Sequence, residues 1–135
     1  MGEVILETPR TRLRRWAHDD VDALHAILSD PLTMQFWEAP FDRERTCAWI
    51  ERSIASNAER GFGRWAVEAR DDGALLGDAG ILATEIDGRP ENDLGYIIHH
   101  PHWRRGYAVE VGRALVQHAF GPLGLDRLAA NMAED

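Results

Sequence analysis

The spacing of apolar positions alternates along the chain between a period of about two and a period of about 3.6, and each change marks an element. Thr11 to Trp16, TRLRRW, alternates and predicts a strand with Leu13 on one face and basic residues beside it. Val21, Leu24 and Leu28 fall at i, i+3 and i+7, the stripe of a helix running to about Ser29. His18 or Asp19 is its candidate cap, and Asp30-Pro31 ends it, because proline disfavours helix in the residue before it. A loop rich in Met34, Phe36, Trp37 and Phe41 follows. Asp42 then caps a second helix that runs to Arg60 and stops at Gly61, with Cys47, Ile50, Ile54 and Ala58 as its apolar stripe.

From there the period is two. Trp65, Val67 and Ala69 alternate with Arg64, Ala66, Glu68 and Arg70; Trp65, like Trp16, reads as core. Asp71 to Gly73 reads as a hairpin turn, ALLGDAGILAT as the return strand, Asp87 to Asp93 (DGRPEND) as a second turn, and Leu94 to His99 as a third strand. Gly106 to Phe120 is helical. Val111, Leu115 and Ala119 form one stripe and Val109, Val116 and Phe120 another, the pattern of a helix packed against a sheet. Gly121-Pro122 stops it, and DRLAANM is the last strand. Because a crossover helix leads to it, that strand should run parallel to Leu94–His99. The predicted order is β-α-α-β-β-β-α-β.

Length and charge narrow the picture. A chain of 135 residues with no repeat predicts one domain, 1–135. A net charge of −8 argues against a general nucleic-acid binder, which needs clustered Lys and Arg. Cys47 is the single cysteine, so no intrachain disulfide can form, and a reducing cytoplasmic setting is expected. No apolar run approaches the ~18 residues of a membrane span, so no membrane association is expected. The start, MGEVILETPRTR, lacks the apolar core of a secretory signal, and Leu6 stands where a myristoylation site wants Ser or Thr.

The densest chemistry lies in IIHHPHWRRGYAVEVGRAL, Ile97 to Leu115. His99, His100 and His102 offer three nitrogens to a metal, but neighbouring His99 and His100 point to opposite faces of a strand, and no HExxH accompanies them. No metal is expected. Two arginines on an acidic chain do not make a nucleic-acid patch. A phosphate seat fits best. The order is strand, short turn, glycine, helix, with unsatisfied N–H groups and the positive end of the helix dipole behind Arg104 and Arg105. Gly106 and Ala108 let backbone approach an anion. On local physics alone, Gly106 is equally well a turn glycine opening a core helix.

At WRRGYA the chain resembles the GNAT superfamily of acyl-CoA-dependent N-acetyltransferases, whose signature is Gln/Arg-x-x-Gly-x-Gly/Ala at a helix start after a strand. Trp103 takes the first position, Gly106 the fourth and Ala108 the sixth. The Trp departs from the general signature and is usual in the RimJ/RimL-type branch. ETPRTRLRRW, SDPLTMQFW, GRWAVEARDDGALLGDAGI and DLGYII resemble the same branch in order, over about residues 7 to 132. Two departures stand out: His100 replaces a frequent proline, and the sequence stops at Asp135 where such proteins continue into a further helix and strands.

The resemblance implies an α+β fold, a three-layer α/β/α arrangement with a mixed, mostly antiparallel sheet and a parallel, splayed central pair, here shortened at its C-terminal end. It implies transfer of an acetyl group from acetyl-CoA to a primary amine by direct attack, the alternative being a non-catalytic CoA-binding or interaction remnant. Backbone of Arg104, Arg105, Gly106, Tyr107 and Ala108 would hold the pyrophosphate, and Ile97 and Ile98 would line the pantetheine. Asn131 would reach the cofactor amide. Asp93 is the first candidate for the base, ahead of Glu85 and Asp78, and Tyr96 or Tyr107 for the acid. Met34, Phe36 and Trp37 would shape the acceptor pocket. The acidic chain mildly favours a cationic acceptor, a small molecule or a peptide. A last strand left at the sheet edge predicts dimerisation or aggregation.

Overall fold

The structure is a computed structural model and describes residues 2–130. Its elements are β1 (Val4–Glu7), β2 (Thr11–Arg15), α1 (Val21–Leu28), α2 (Arg43–Arg60), β3 (Arg64–Ala69), β4 (Leu75–Ile86), β5 (Arg89–Ile98), α3 (Tyr107–Phe120) and β6 (Ala129–Ala130). One six-stranded sheet runs in the order β1-β2-β3-β4-β5-β6. Neighbours are antiparallel except β5 and β6, which pair in parallel at Asp93↔Ala129 and Leu94↔Ala130. The parallel last strand is as the crossover argument requires. Asn131 and the rest of the expected strand lie outside the described residues, as does any splaying beyond this pairing.

Alternation along β3 assigns the layers. Trp65, Val67 and Ala69 join Val111, Leu115 and Ala119 of α3 in one core cluster. Ala66 joins Leu24, Ile27 and Leu28 of α1 and Ile50 of α2 in the other. With helices on both faces, every residue of β3 is buried, charged Arg64 and Glu68 included. Glu68 is compensated from β2: it accepts from Arg12 Nε at 3.0 Å and Arg14 Nε at 2.9 Å, and Arg14 also pairs with Asp20.

Three expectations are corrected. The turn expected over Asp87–Asp93 contains two residues, Asp87 and Gly88, both at positive φ (51° and 78°), and β5 begins at Arg89. Positive φ at both central positions matches the twist of a two-residue hairpin, so five more turn-like residues are free to be strand. Pro90 is tolerated because β6 pairs only from Asp93 onward. The buried stripe of α2 is Thr46, Ile50, Ser53 and Asn57, while Ala58 is exposed. The polar members are hydrogen-bonded: Thr46 Oγ1 to Asp42 O, Ser53 Oγ to Trp49 O, and Asn57 Oδ1 from Trp65 Nε1 at 2.6 Å. Finally, β1 was not anticipated; it is a short edge strand with a register shift between Val4 and Leu6.

Candidate active site

The chain leaves β5 at Ile98, makes a short 3-10 turn over His100–His102, and enters α3 through Trp103–Gly106. Trp103 braces this loop by donating from Nε1 to the carbonyl of Ile98 at 2.6 Å. His100 donates its backbone N–H to Thr33 Oγ1 at 2.9 Å and sets its ring edge-on to Trp103, 5.3 Å between centroids. Arg104 has φ 63° and Gly106 φ 81°. The left-handed region costs a non-glycine residue about 1–2 kcal/mol, so Arg104 is held there by its surroundings. No side chain caps α3. Its first-turn amides and the positive end of its dipole face an approach flanked by exposed Arg104 and Arg105, with buried Ala108 behind. A helix start of this kind has the chemistry to receive an anion.

The strand that leads into this turn is β5. His99 donates to Leu76 O of β4, and Asp78 lies opposite Ile97, so by antiparallel alternation the Ile97 amide is turned toward β4 and the Ile98 amide away from it. On the α3 side an apolar groove of about 680 Å³ is lined by Leu94, Tyr96, Ala108, Gly112, Val116 and Leu128, among others. A second groove of about 660 Å³ begins at Gly106 and shares Val109 and Arg113 with the first.

Residues on β5 alternate between the two faces. Asp93 and Ile97 share the α1/α2 face, whereas Leu94 and Tyr96 pack with the α3 cluster. Asp93 Oδ1 is buried and meets no hydrogen-bond partner. Burial pushes its carboxyl above the usual range, and the Arg64 guanidinium partly opposes the shift. Arg64 lies across Gly95, where a Cβ would come within 2.5 Å of its Nη1. Asp78, by contrast, is committed to structure: it is 0% exposed, Oδ1 accepts from Arg64 Nε at 2.6 Å, and Oδ2 accepts from the indoles of Trp16 (2.9 Å) and Trp49 (2.8 Å). Glu85 is exposed on β4 opposite Pro90. The three carboxylates thus sit in different settings: Asp78 is buried and paired, Glu85 is exposed, and Asp93 is half-buried with one unpaired oxygen.

The aromatic loop divides similarly. Met34 is buried in the α1/α2 cluster, whereas Phe36 and Trp37 are exposed. Trp37 packs edge-on against Phe41 and Trp49. Among the described residues no group of three or more His, Cys, Asp or Glu is placed to hold a metal. His99 lies 3.7 Å from Asp30, and burial depresses the pKa of both His99 and His102. The sequence reading missed Arg10, Arg64 and Glu110. Their partners lie far along the chain, and none interrupts a periodic pattern.

The family model for the acetyltransferase (GNAT) domain matches residues 10–135. The chain belongs to the GNAT acetyltransferase family. It is 33% identical over 133 residues to the uncharacterised N-acetyltransferase YoaA of Bacillus subtilis (strain 168), covering 97% of this chain and 75% of YoaA. It is 29% identical to YkkB of the same organism, covering 93% and 73%. The acetyltransferase from Agrobacterium tumefaciens superposes with a TM-score of 0.81 at 28% identity over 93% of this chain and 71% of that one. RimL, the ribosomal L7/L12 alpha-N-protein acetyltransferase solved with coenzyme A, shares the fold at a TM-score of 0.73 and 19% identity, over 95% and 73%.

Proposed function

We propose that the chain transfers an acetyl group from acetyl-CoA to a primary amine of a small molecule or a peptide N-terminus. The observation that carries this reading is the uncapped start of α3 behind two left-handed residues, with Ala108 of its first turn lining the apolar groove beside β5. In this reading the backbone of Arg104 to Ala108 holds the diphosphate, and the outward Ile98 amide polarises the thioester carbonyl. The β5 segment at Ile97 and Ile98 lines the pantetheine arm, and Asn131 is assigned to its amide from the sequence resemblance alone. Asp93 takes the proton of the incoming ammonium, directly or through water. Tyr96, on the opposite face of β5, returns a proton to the departing thiolate. Phe36 and Trp37 border the acceptor, for which the net charge of −8 favours a cation.

Calorimetric titration with acetyl-CoA, followed by thiol release in the presence of a polyamine, an aminoglycoside or a peptide amine, tests the reading. Binding and turnover are expected. Gly106→Trp should abolish binding, because its backbone is left-handed and its Cβ would already lie 3.4 Å from Arg10 Nη2. No binding at millimolar acetyl-CoA, or unchanged affinity in Gly106→Trp, overturns it. A homodimer belongs to the same reading and is supported by the exposed apolar side chains Val109, Val116 and Phe120 on α3. Sedimentation velocity should show concentration-dependent association; a monomer at every concentration removes it.

A further inference from the structure

The turn between β1 and β2 is remote in sequence from α3, yet it grips the start of that helix. Glu110, in the first turn of α3, accepts from the hydroxyl of Thr8, the backbone N–H of Arg10 (2.9 Å) and Arg10 Nε (2.8 Å). The same guanidinium donates from Nη1 to the carbonyl of Arg105 at 2.8 Å and lies 4.3 Å from the centroid of the Tyr107 ring. Arg10 thus touches the residues on both sides of Gly106.

This contact has a directional consequence. In a planar trans peptide the carbonyl oxygen and the following N–H point opposite ways. Fixing the Arg105 carbonyl on the hairpin side therefore aims the Gly106 N–H away from the hairpin. Arg104, left-handed one residue earlier, needs such an outside restraint. Glu110 in turn fixes the guanidinium. Its carboxyl is partly desolvated, which raises its pKa, but the bonds from Thr8 and Arg10 outweigh this and hold it below the usual range.

We propose that Arg10, oriented by Glu110, is a positioning residue that sets the curvature of the diphosphate-binding turn; this rests on the reading of that turn given above. It acts through backbone geometry rather than through its charge, which Glu110 already neutralises. The two modes predict opposite signs for one substitution. Glu110→Gln removes a negative charge near the diphosphate, so a charge effect would tighten CoA binding, whereas loss of positioning weakens it.

The experiment is calorimetric titration of the full chain and its variants with CoA and with pantetheine, which lacks the diphosphate, at a temperature where thermal melts show each variant folded. Arg10→Ala, Arg10→Lys and Glu110→Gln should each weaken CoA binding about tenfold, the scale of a lost charged hydrogen bond, and leave pantetheine affinity within about twofold. Arg12→Ala removes an equal charge at a residue that pairs with Glu68 instead, and should bind CoA like the unsubstituted chain. The proposal is overturned if Glu110→Gln binds CoA as tightly or more tightly, if Arg10→Lys retains full affinity, if Arg12→Ala loses as much as Arg10→Ala, or if pantetheine binding falls in parallel. Failure of the unsubstituted chain to bind CoA is a different result: it overturns the reading of the turn itself and, with it, the role of Arg10.

Discussion

Asp93 on β5 and Glu110 in the first turn of α3 are both carboxylates, and their surroundings move them in opposite directions. Glu110 is saturated with donors, whereas Asp93 has a buried oxygen with none. Burial raises the Asp93 pKa above 3.8. The stabilisation associated with its neutral form is complete below 3.8 and is lost as pH rises through the folded-state pKa, so the carboxyl costs the fold stability above that window. Asp93→Asn should therefore raise the melting temperature at neutral pH and give no gain at about pH 3, where both variants are uncharged. If Asp93 is the base, the same substitution should lower kcat about 10²–10⁴-fold and remove the acid limb of the kcat/KM profile. A variant that keeps that limb and full kcat takes the role from Asp93. The sequence placed Asp93 at the head of DLGY but carried no sign of its orphaned oxygen or of Arg64 behind Gly95, because both depend on β3 lying alongside β4.

Elements were legible where one property repeats along a single segment. α1, α3 and β3 declare themselves through apolar spacing, and the parallel direction of β6 follows from the crossover helix that leads to it. Reading failed where partners come from elsewhere. Small polar residues line the buried face of α2 because Asn57 meets the indole of Trp65 and Thr46 meets both Asp42 and the ring of His25. A rule that seeks apolar stripes turns this helix by one position. β5 was shortened because Arg-Pro-Glu-Asn-Asp has the composition of a loop, although two left-handed residues are enough to reverse the chain. At the turn before α3, Gly106 and the helix start are visible in WRRGYA, but the restraint on that turn is not, since Arg10 stands 95 residues from Arg105.

For the whole molecule, the question is what joins the α1/α2 layer to the sheet. Apolar contact does much of it, but Asp78 adds a fixed point where three segments meet. It binds the indole of Trp16 just beyond β2, the indole of Trp49 on α2, and Arg64 at the start of β3, whose guanidinium lies 5.1 Å from the centroid of the Trp49 ring. Asp78 is fully buried and the Arg64 side chain is 9% exposed, so neither charge can turn to water if the other is removed. Asp78→Ala should then lower the unfolding free energy by about 3–5 kcal/mol, the scale of stranding one member of a buried pair. Asp78→Asn should cost less, since its carboxamide oxygen still accepts from an indole. Denaturant titration should show one transition moved to lower midpoint with unchanged slope, because the two layers share one sheet. A loss under about 1 kcal/mol would mean that the cluster behaves like an exposed surface pair. A second transition would mean that the helical layer is held to the sheet by Asp78 more than by Leu24, Ile27, Leu28 and Ile50.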